Sequence, residues 1–437
     1  TNMRIHILGI CGTFMGGLAQ ILKESGHSIS GSDNQFYPPM SGHLENLDVE
    51  MIKGYSIKSM PDADLYIIGN ALSRGNECVE YILDNQLPFR SGPEMLGEIL
   101  KNRKVLAVSG THGKTTTSYM LAHIFLNQGR DIGFLVGGVS EDIKGSASLG
   151  TDNIFVIEAD EYDSAFFDKR SKFIHYSPST LVINNIEFDH ADIFDHLDDI
   201  KRQFHHLIKI IPSSGEVIYF SDDKNSEDVI SKGLWCKSTV INDNEIKISF
   251  EEQELEYKGI AYSLAGLPLI GLHNFKNYIA AILAAKTDDI AINDSIESLK
   301  SFNGVKRRLE YKGKFSNIHL YDDFAHHPTA IMFSSQAIRM KYPEKKILGL
   351  IELGSNTMSG GSHGLELLDT VACLDKAVWL DHKNVLSDGN NITSSDNIED
   401  FINQTKLILS EYDIILLMTN KDSHKILKPL ISYLEKK

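Results

Sequence analysis

The sequence predicts an α/β protein of three domains, which cover residues 1–102, 103–302 and 303–437. Two observations support this fold class. Short apolar runs typical of buried strands alternate with longer helical stretches along most of the chain, an order that builds parallel sheets. In addition, 437 residues are enough for about three domains of the usual size.

The composition argues against several functional classes. A formal net charge of −16 disfavours non-specific binding to nucleic acid and to an anionic membrane surface. No apolar run is long enough to span a bilayer and no signal peptide is evident, so we expect no membrane association. The cysteines lack metal-ligand or redox-motif spacing, which indicates a reducing compartment, the cytoplasm, and no zinc site. These cysteines are Cys11, Cys78, Cys236 and Cys373.

The first domain opens with a β-α-β unit. A short apolar strand leads into a glycine-rich turn at residues 9–16, a helix follows, and the second strand is followed by Asp33. An acidic residue at this place is typical of Rossmann-like nucleotide-binding domains, where it holds a ribose hydroxyl. Asn70 comes after a further strand, at the edge where ligands bind in open parallel sheets. The alternative interpretation is a tight turn that binds nothing.

The second domain begins with a strand, a glycine turn and a helix N-terminus within residues 104–117, KVLAVSGTHGKTTT. Backbone N–H groups and the helix dipole bind phosphate at such a turn, as in P-loop ATPases. Lys114 supplies positive charge for the β- and γ-phosphates, and Thr115 a hydroxyl for Mg²⁺. Val108 departs from the strict pattern, which has glycine there, and the alternative is an ordinary helix after a glycine turn. The predicted phosphate-binding residues are Gly110, Thr111, His112, Gly113, Lys114, Thr115 and Thr116.

Carboxylates and a histidine follow two more strands of this domain. Glu161 comes shortly after a strand at 154–157, and His190 shortly after a strand at 181–183. Oxygen ligands, with one nitrogen tolerated, suit Mg²⁺ beside a phosphate site. The alternatives are a helix-capping or solvated Glu161 and a hydrogen-bonded structural His190.

The rest of the second domain combines strands with one strongly apolar helix. Residues 215–264 alternate between apolar and polar side chains, which predicts antiparallel strands. Asn274 and Asn277 share one face of the following helix. Amide groups both donate and accept hydrogen bonds, which suits adenine, and the alternative for Asn274 is helix capping.

Strands and helices alternate from about residue 303 to the end, which predicts a second, Rossmann-like open parallel sheet. Arg308 precedes the first of these strands and suits the contact that arginines make with a γ-phosphate from another domain. The alternative is a surface ion pair. A strand at 318–321 ends in a polar run that contains Asp323 and His326.

These motifs, in this order, resemble those of the Mur ligases, the ATP-dependent amide-forming enzymes of peptidoglycan metabolism. The resemblance covers nearly the whole chain, and the residues that carry it are 110–117, 158–161, 185–190, 271–277 and 307–308. Within the family, residues 9–16, 322–328 and 355–358 are similar to the murein peptide ligase branch, more than to the UDP-N-acetylmuramate–L-alanine ligases.

The resemblance implies a ligase of cell-wall recycling. It would join UDP-N-acetylmuramate to the tripeptide L-alanyl-γ-D-glutamyl-meso-diaminopimelate through an acyl phosphate, with ATP and Mg²⁺ as cofactors and no obligate protein partner. The implied ATP and metal residues are Lys114 and Thr115 at the phosphates, Glu161 and His190 at the metal, Asn274 and Asn277 at adenine, Arg308 at the γ-phosphate and Asp323 at the ribose. The implied substrate residues are Gly12, Met15, Asp33 and Asn70 for the UDP-sugar, with His326, Ser355 and Asn356 on the peptide side, where His326 is the candidate base.

Two positions depart from the family pattern. His205 stands where several Mur ligases carry a carbamylated lysine, so we expect no carbamylation. Leu353 and Gly354 stand where a Pro-Arg pair is expected, and that arginine is a candidate for binding a peptide carboxylate. The competing hypotheses are a ligase that adds free L-alanine and a sensor that binds UDP-sugar and ATP without turnover.

Overall fold

Parallel β-sheets flanked by helices form most of the structure, a computed structural model that describes residues 2–36, 40–137, 145–187, 196–354, 364–386 and 392–437. The predicted α/β class is confirmed. The described residues fall into two units, which are Thr1–Glu187, His196–Gly266 and Asn277–Phe302 in the first and Leu267–Lys276 and Asn303–Lys437 in the second. The first unit contains the first predicted domain and most of the second, whereas Leu267–Lys276 belong to the second unit. A division near residue 102 stays a prediction.

A five-stranded parallel sheet lies at the start of the first unit. Its strands are β1 (Arg4–Leu8), β2 (Ser28–Asp33), β3 (Glu50–Lys53), β4 (Leu65–Ile68) and β5 (Phe89–Ser91), in the order β3-β2-β1-β4-β5. Its helices are α1 (Thr13–Glu24), α2 (Met40–Asn46), α3 (Glu77–Asp84) and α4 (Gly92–Ile99). The strand order reverses between β1 and β4, and open sheets of this kind bind ligands beyond the carboxyl ends of the two strands at such a reversal.

A seven-stranded sheet forms the rest of the core of the first unit. Its strands are β6 (Lys104–Ser109), β7 (Gly133–Leu135), β8 (Ala147–Ser148), β9 (Ile154–Glu158), β12 (Thr180–Ile183), β13 (Glu216–Phe220) and β14 (Lys237–Ile241), in the order β14-β13-β12-β6-β9-β7-β8. Its helices are α5 (Lys114–Asn127), α6 (Leu197–Lys209), α7 (Lys224–Ser231), the part of α8 (Leu272–Lys286) from Asn277 onward, and α9 (Ile292–Leu299). A small hairpin consists of β10 (Asp163–Ala165) and β11 (Asp168–Ser171). Strand β6 lies between β12 and β9, so the residues that follow these three strands emerge at one edge.

The prediction of antiparallel strands over residues 215–264 was wrong for the first half of this stretch. Strands β13 and β14 pair in parallel and extend the seven-stranded sheet. Parallel neighbours need a crossover connection, and α7 supplies it, with the Asp223 carboxylate accepting from the backbone N–H of Ser226 as an N-cap. The antiparallel prediction holds for β15 (Ile246–Ser249), β16 (Glu254–Tyr257) and β17 (Ile260–Ser263), which form a separate three-stranded sheet.

A six-stranded sheet forms the core of the second unit. Its strands are β18 (Glu310–Phe315), β19 (Ile318–Asp323), β20 (Ile347–Glu352), β21 (Lys376–Leu380), β22 (Thr393–Ser395) and β23 (Ile414–Met418), in the order β18-β19-β23-β20-β21-β22. Its helices are α10 (Pro328–Lys341), α11 (Gly364–Thr370), α12 (Ile398–Ile408) and α13 (His424–Glu435). Residues of α10 and α11 share one apolar core with one face of the sheet, and residues of α12 and α13 share another core with the opposite face.

The prediction that this second sheet is entirely parallel was wrong at its edge. Strand β18 runs antiparallel to β19, and only two residues, Ser316 and Asn317, separate the paired ends. Both residues have positive φ, at 49° and 66°. A two-residue turn with positive φ at both positions matches the twist of a hairpin, so β18 folds back on β19 directly.

None of the helices in the described ranges combines the length and the apolar character that crossing a membrane requires.

A buried histidine lies within the five-stranded sheet. His6 on β1 has no exposed surface, and its two ring nitrogens lie 2.7 and 2.8 Å from the hydroxyl oxygens of Ser30 and Ser32 on β2. Burial lowers the pKa of His6 from 6.5 to about 4. The folded protein therefore holds the neutral ring at a pH where the unfolded chain takes up a proton.

This histidine makes the stability of the first unit depend on pH. Because the unfolded chain binds more protons below pH 6.5, the free energy of unfolding falls as the pH drops through 6.5 toward 4. We expect protonation of His6 in the unfolded chain to lower the free energy of unfolding by about 2 kcal/mol between pH 7.5 and pH 5. Urea unfolding at both pH values should show this loss in the wild type and lack it in His6→Gln, whereas His206→Gln, at an exposed site, should retain it. An equal pH dependence in His6→Gln would contradict the assignment.

Candidate functional site

The turn between β6 and α5, residues 110–113, is held in shape by the segment that follows β12. Parallel pairing sets Ile183 opposite Ser109, so both chains leave the sheet side by side. The backbone N–H of His112 donates to Asn185 Oδ1 at 2.8 Å, and Asn185 Nδ2 donates back to the carbonyl of His112 at 3.2 Å. The backbone N–H of Thr111 donates to the Asn185 carbonyl at 3.0 Å. We call residues 110–113 the phosphate loop.

Two glycines of the phosphate loop are required by their surroundings. Gly110 and Gly113 have φ of 129° and 82°, which side chains rarely adopt. A Cβ on Gly113 would lie 2.6 Å from Asn277 Oδ1 and 2.9 Å from Asn184 Nδ2. The loop therefore lies directly against two asparagine amides, and Asn184 Nδ2 donates to the loop carbonyl of His112 at 3.4 Å.

The residues that open α5 extend the site toward β9. Lys114 Nζ donates to the carbonyl of Gly110 at 2.7 Å, which folds the ammonium over the phosphate loop. The hydroxyl of Thr115 donates to Glu158 Oε1 at 2.8 Å, and Glu158 Oε2 accepts from the backbone N–H of Gly137 at 2.7 Å. Glu161, three residues further on, is fully buried. A hydroxyl and carboxylates thus follow neighbouring strands.

This set of donors fits Mg²⁺ together with a nucleotide. Within the part of the chain that the structure describes, no three His, Cys, Asp or Glu side chains form a metal-binding group. Mg²⁺ commonly binds through one or two carboxylates and takes its other ligands from phosphates and water. Thr115, Glu158 and Glu161 supply oxygen atoms of that kind, beside the loop that is predicted to bind the phosphates.

A cavity of about 370 Å³ lies in the first unit beyond the carboxyl ends of β1 and β4. The predicted substrate residues Gly12, Met15 and Asn70 all line it. Glu158 and Gly137 line the cavity too, so it extends to the carboxylate that accepts from Thr115. The cavity therefore extends from the glycine-rich turn after β1 to the carboxyl end of β9 in the seven-stranded sheet.

Asp33, also predicted at this site, does not line the cavity. Its Oδ2 accepts from the backbone N–H of Cys11 at 3.0 Å, and its Oδ1 accepts from Asn34 N–H at 2.8 Å. The carboxylate therefore fixes the turn whose other residues face the cavity. Burial, with a smaller effect of the Asp33 charge, raises the pKa of the Cys11 thiol to about 11.

Two functional candidates were missed at the sequence level. Glu158 lies within residues 158–161, which carry the family resemblance, but the sequence assigns it no role of its own. Its place as the last residue of β9, beside β6, is a usable signal. Lys172 also lines the cavity, with Nζ 3.4 Å from Asp160 Oδ2 and 5.3 Å from the centroid of the Phe14 ring. No motif marks Lys172, and only the folded chain brings it to the glycine-rich turn.

Three predicted residues of the second unit, Arg308, Asp323 and His326, lie around the end of β19. The buried Asp323 carboxylate accepts from Leu309 N–H at 2.8 Å, Ala325 N–H at 3.0 Å and the Ser334 hydroxyl at 2.8 Å. These bonds use both carboxylate oxygens within the protein, so Asp323 shapes the turn after β19. Asn274, at the start of α8, donates from Nδ2 to the Ile270 carbonyl at 2.9 Å.

The other two predicted residues near the end of β19, Arg308 and His326, both lie next to Phe324. The Arg308 guanidinium carbon lies 5.5 Å from the centroid of the Phe324 ring, and His326 Nδ1 lies 3.0 Å from the Phe324 carbonyl oxygen. Because a carbonyl only accepts, His326 carries its proton on Nδ1 in the neutral form. The remaining predicted residues lie outside the described part of the chain; they are His190, Ser355 and Asn356.

Comparisons with known proteins identify the family. Residues 4–104 match the catalytic domain of the Mur ligase family, and residues 108–285 match the Mur ligase middle domain. The UDP-N-acetylmuramate–L-alanyl-γ-D-glutamyl-meso-2,6-diaminoheptandioate ligase of Haemophilus influenzae is 46% identical over 385 residues, which are 86% of this chain and 85% of the relative. The UDP-N-acetylmuramate–L-alanine ligase of Clostridium acetobutylicum is 34% identical over 97% of this chain and 96% of its own length.

A solved structure agrees with this assignment. The crystal structure of a murein peptide ligase from Psychrobacter arcticus aligns with a TM-score of 0.75 and 37% identity, covering 100% of this chain and 99% of that one. Two domain matches in chain order, a relative 46% identical over most of both sequences, and this structural likeness have one explanation: the chain belongs to the Mur ligase family.

Proposed function

We propose that this protein joins UDP-N-acetylmuramate to L-alanyl-γ-D-glutamyl-meso-diaminopimelate, with ATP as the energy source, in peptidoglycan recycling. The geometric observation that carries the proposal is the cavity of the first unit. It runs from the glycine-rich turn to Glu158, which binds the Thr115 hydroxyl. A UDP-sugar in this cavity would hold its sugar carboxylate toward the phosphate loop. The 46% identity to a relative named for this reaction supports the choice of substrates.

The proposal assigns three functional domains. Residues 1–102 bind the UDP-sugar on a Rossmann-like sheet, residues 103–302 bind ATP on a P-loop sheet, and residues 303–437 bind the peptide on a second Rossmann-like sheet. Gly12, Met15 and Asn70 contact the UDP-sugar. Lys172 adds a cation to the same cavity, where it would attract the diphosphate or the carboxylate.

ATP supplies the phosphoryl group that turns the unreactive sugar carboxylate into an acyl phosphate. The ammonium of Lys114 would exchange its bond to the Gly110 carbonyl for bonds to phosphate oxygens, and so offset charge during transfer. Thr115, Glu158 and Glu161, with His190, would hold Mg²⁺. Arg308 is assigned to the γ-phosphate, and Asn274 and Asn277 to the adenine, from family resemblance.

His326 is the proposed base for the peptide amine. Its Nδ1–H donates to the Phe324 carbonyl, which leaves Nε2 as the basic nitrogen of the neutral ring. The amine attacks the acyl carbon, the bond from that carbon to the phosphate oxygen breaks, and inorganic phosphate leaves. The amine nitrogen loses a proton in this step, and an imidazole is suited to accept it near neutral pH. We place the reaction in the cytoplasm, because the four cysteines of the protein are free thiols.

The first test measures phosphate release with ATP, Mg²⁺ and UDP-N-acetylmuramate, and compares the tripeptide with free L-alanine at equal concentration. We expect turnover with the tripeptide and little with alanine. Turnover with alanine alone would assign the chain to the alanine-adding reaction instead. Binding of both nucleotides without phosphate release from either mixture would indicate a sensor.

Replacing Lys114 should separate ATP chemistry from UDP-sugar binding. We expect Lys114→Ala to lower kcat by about 100-fold or more, since a charged donor at the transferring group is lost. Lys114 does not line the cavity, so calorimetric titration should give the same Kd for UDP-N-acetylmuramate. The control is Lys101→Ala, at an exposed position of the same unit, which should keep both. Loss of UDP-sugar binding in folded Lys114→Ala would contradict the domain assignment.

A pair of glycine variants tests the contact between the phosphate loop and the asparagines. Gly113 and Gly129 have similar φ of 82° and 79°, but a Cβ on Gly129 meets no atom within 4 Å. Both alanine variants should lose about 1 kcal/mol of stability from the strained backbone. Only Gly113→Ala should also weaken ATP binding, by about tenfold or more as measured with a fluorescent ATP analogue. Equal ATP affinities would show that the loop tolerates the clash with Asn277.

A further inference from the structure

The topology of the six-stranded sheet in the second unit predicts a crevice at the carboxyl end of β23. Strand β23 leads into α13, which shares the apolar core on one face of the sheet, whereas its neighbour β20 precedes α11, which belongs to the core on the other face. Adjacent parallel strands whose connections leave on opposite faces open a crevice between their carboxyl ends, where open sheets bind ligands.

Gly354 and Lys421 lie together at this crevice. Gly354 follows β20, and Lys421 follows β23. A Cβ on Gly354 would lie 2.5 Å from Asn420 Oδ1, 2.8 Å from Lys421 Cε and 3.3 Å from Lys421 Cγ. The Asn420 amide and the lysine stem therefore share the space where position 354 would otherwise project a side chain.

The charge of Lys421 is available to an anion from outside the protein. The nearby carboxylates have other donors: Glu352 accepts from the Thr419 hydroxyl at 2.8 Å and pairs with His382 Nε2 at 3.0 Å. Asp422, next in sequence, accepts the backbone N–H of His424 at 3.0 Å. Lys421 is exposed, and among the described residues it forms no ion pair.

We propose that Lys421 binds a carboxylate of the incoming peptide and thereby sets the preference for an acidic peptide. This inference rests on the proposed function. A γ-linked glutamyl residue keeps its α-carboxylate, and meso-diaminopimelate carries two carboxyl groups, so the tripeptide brings several anions to an amine that must be held for attack. Lys421, which follows β23 and lies beside Gly354, supplies the positive charge at the crevice. In the family pattern this charge belongs to an arginine at the position of Gly354.

The test compares steady-state kinetics of Lys421→Met, Lys421→Arg and the wild type. Methionine keeps the stem that covers Gly354 and removes the charge. We expect Lys421→Met to raise KM for the tripeptide by about tenfold or more, the effect of one lost charged hydrogen bond, with kcat and the KM values of ATP and UDP-N-acetylmuramate unchanged. Lys421→Arg should restore a KM near that of the wild type. Lys428→Met, an exposed lysine of α13, is the matched control and should behave as the wild type.

A second substrate identifies the group that is bound. With a tripeptide whose third residue has both carboxyl groups converted to amides, the wild type and Lys421→Met should differ in KM less than they do with the acid, if Lys421 binds that residue. An undiminished difference would place the contact at the glutamyl carboxylate, still within the proposal. If the KM for the tripeptide is unchanged in Lys421→Met while the wild type uses the tripeptide, the proposed role of Lys421 is overturned and the proposed function stands. A wild type that does not use the tripeptide overturns the proposed function and this role together.

Discussion

The register between β6 and β12 is the constraint on which the phosphate loop depends. Parallel pairing brings Ser109 opposite Ile183, so the next residues of both strands meet at one edge of the sheet. There Asn185 binds the backbone of His112 on both its N–H and its carbonyl. A slip of one residue would turn these side chains to the opposite face. The conformation of the loop is therefore set by a neighbouring strand some 70 residues away in sequence as much as by its own glycines.

That dependence explains which parts of the molecule the sequence can predict. The strand, turn and helix around Lys114 are local signals: a buried strand, glycines at positive φ and a helix opening, all within 14 residues. The direction of β14 is not local, because it depends on whether α7 forms between two alternating stretches. The contact of Lys172 with the cavity depends on the fold of the whole first unit, and no spacing rule contains it.

In both units, a few lysines stand at the proposed binding sites of a chain that is acidic as a whole. The chain is strongly acidic, at −16, yet its proposed ligands are phosphates and carboxylates. An acidic surface repels such ligands almost everywhere, so binding is confined to places where a cation lies beyond a strand end. Under the proposed function, Lys114 and Lys172 provide this cation in the first unit, and Lys421 provides it in the second. A few lysines would then set specificity without a basic surface that would hold other polyanions.

The environment of Cys11 has a consequence for chemical reactivity. This residue lies in the glycine-rich turn, where its backbone is tied to Asp33 and its thiol has a pKa of about 11. Thiols react with electrophiles and oxidants as thiolates, and at neutral pH only a very small fraction of the Cys11 side chains is in that form. The turn therefore carries a cysteine that resists oxidation between Gly9 and Gly12, two residues that line the cavity. Reagents directed at Cys11 would react slowly, and reversible ligands of the cavity offer the better chemical starting point.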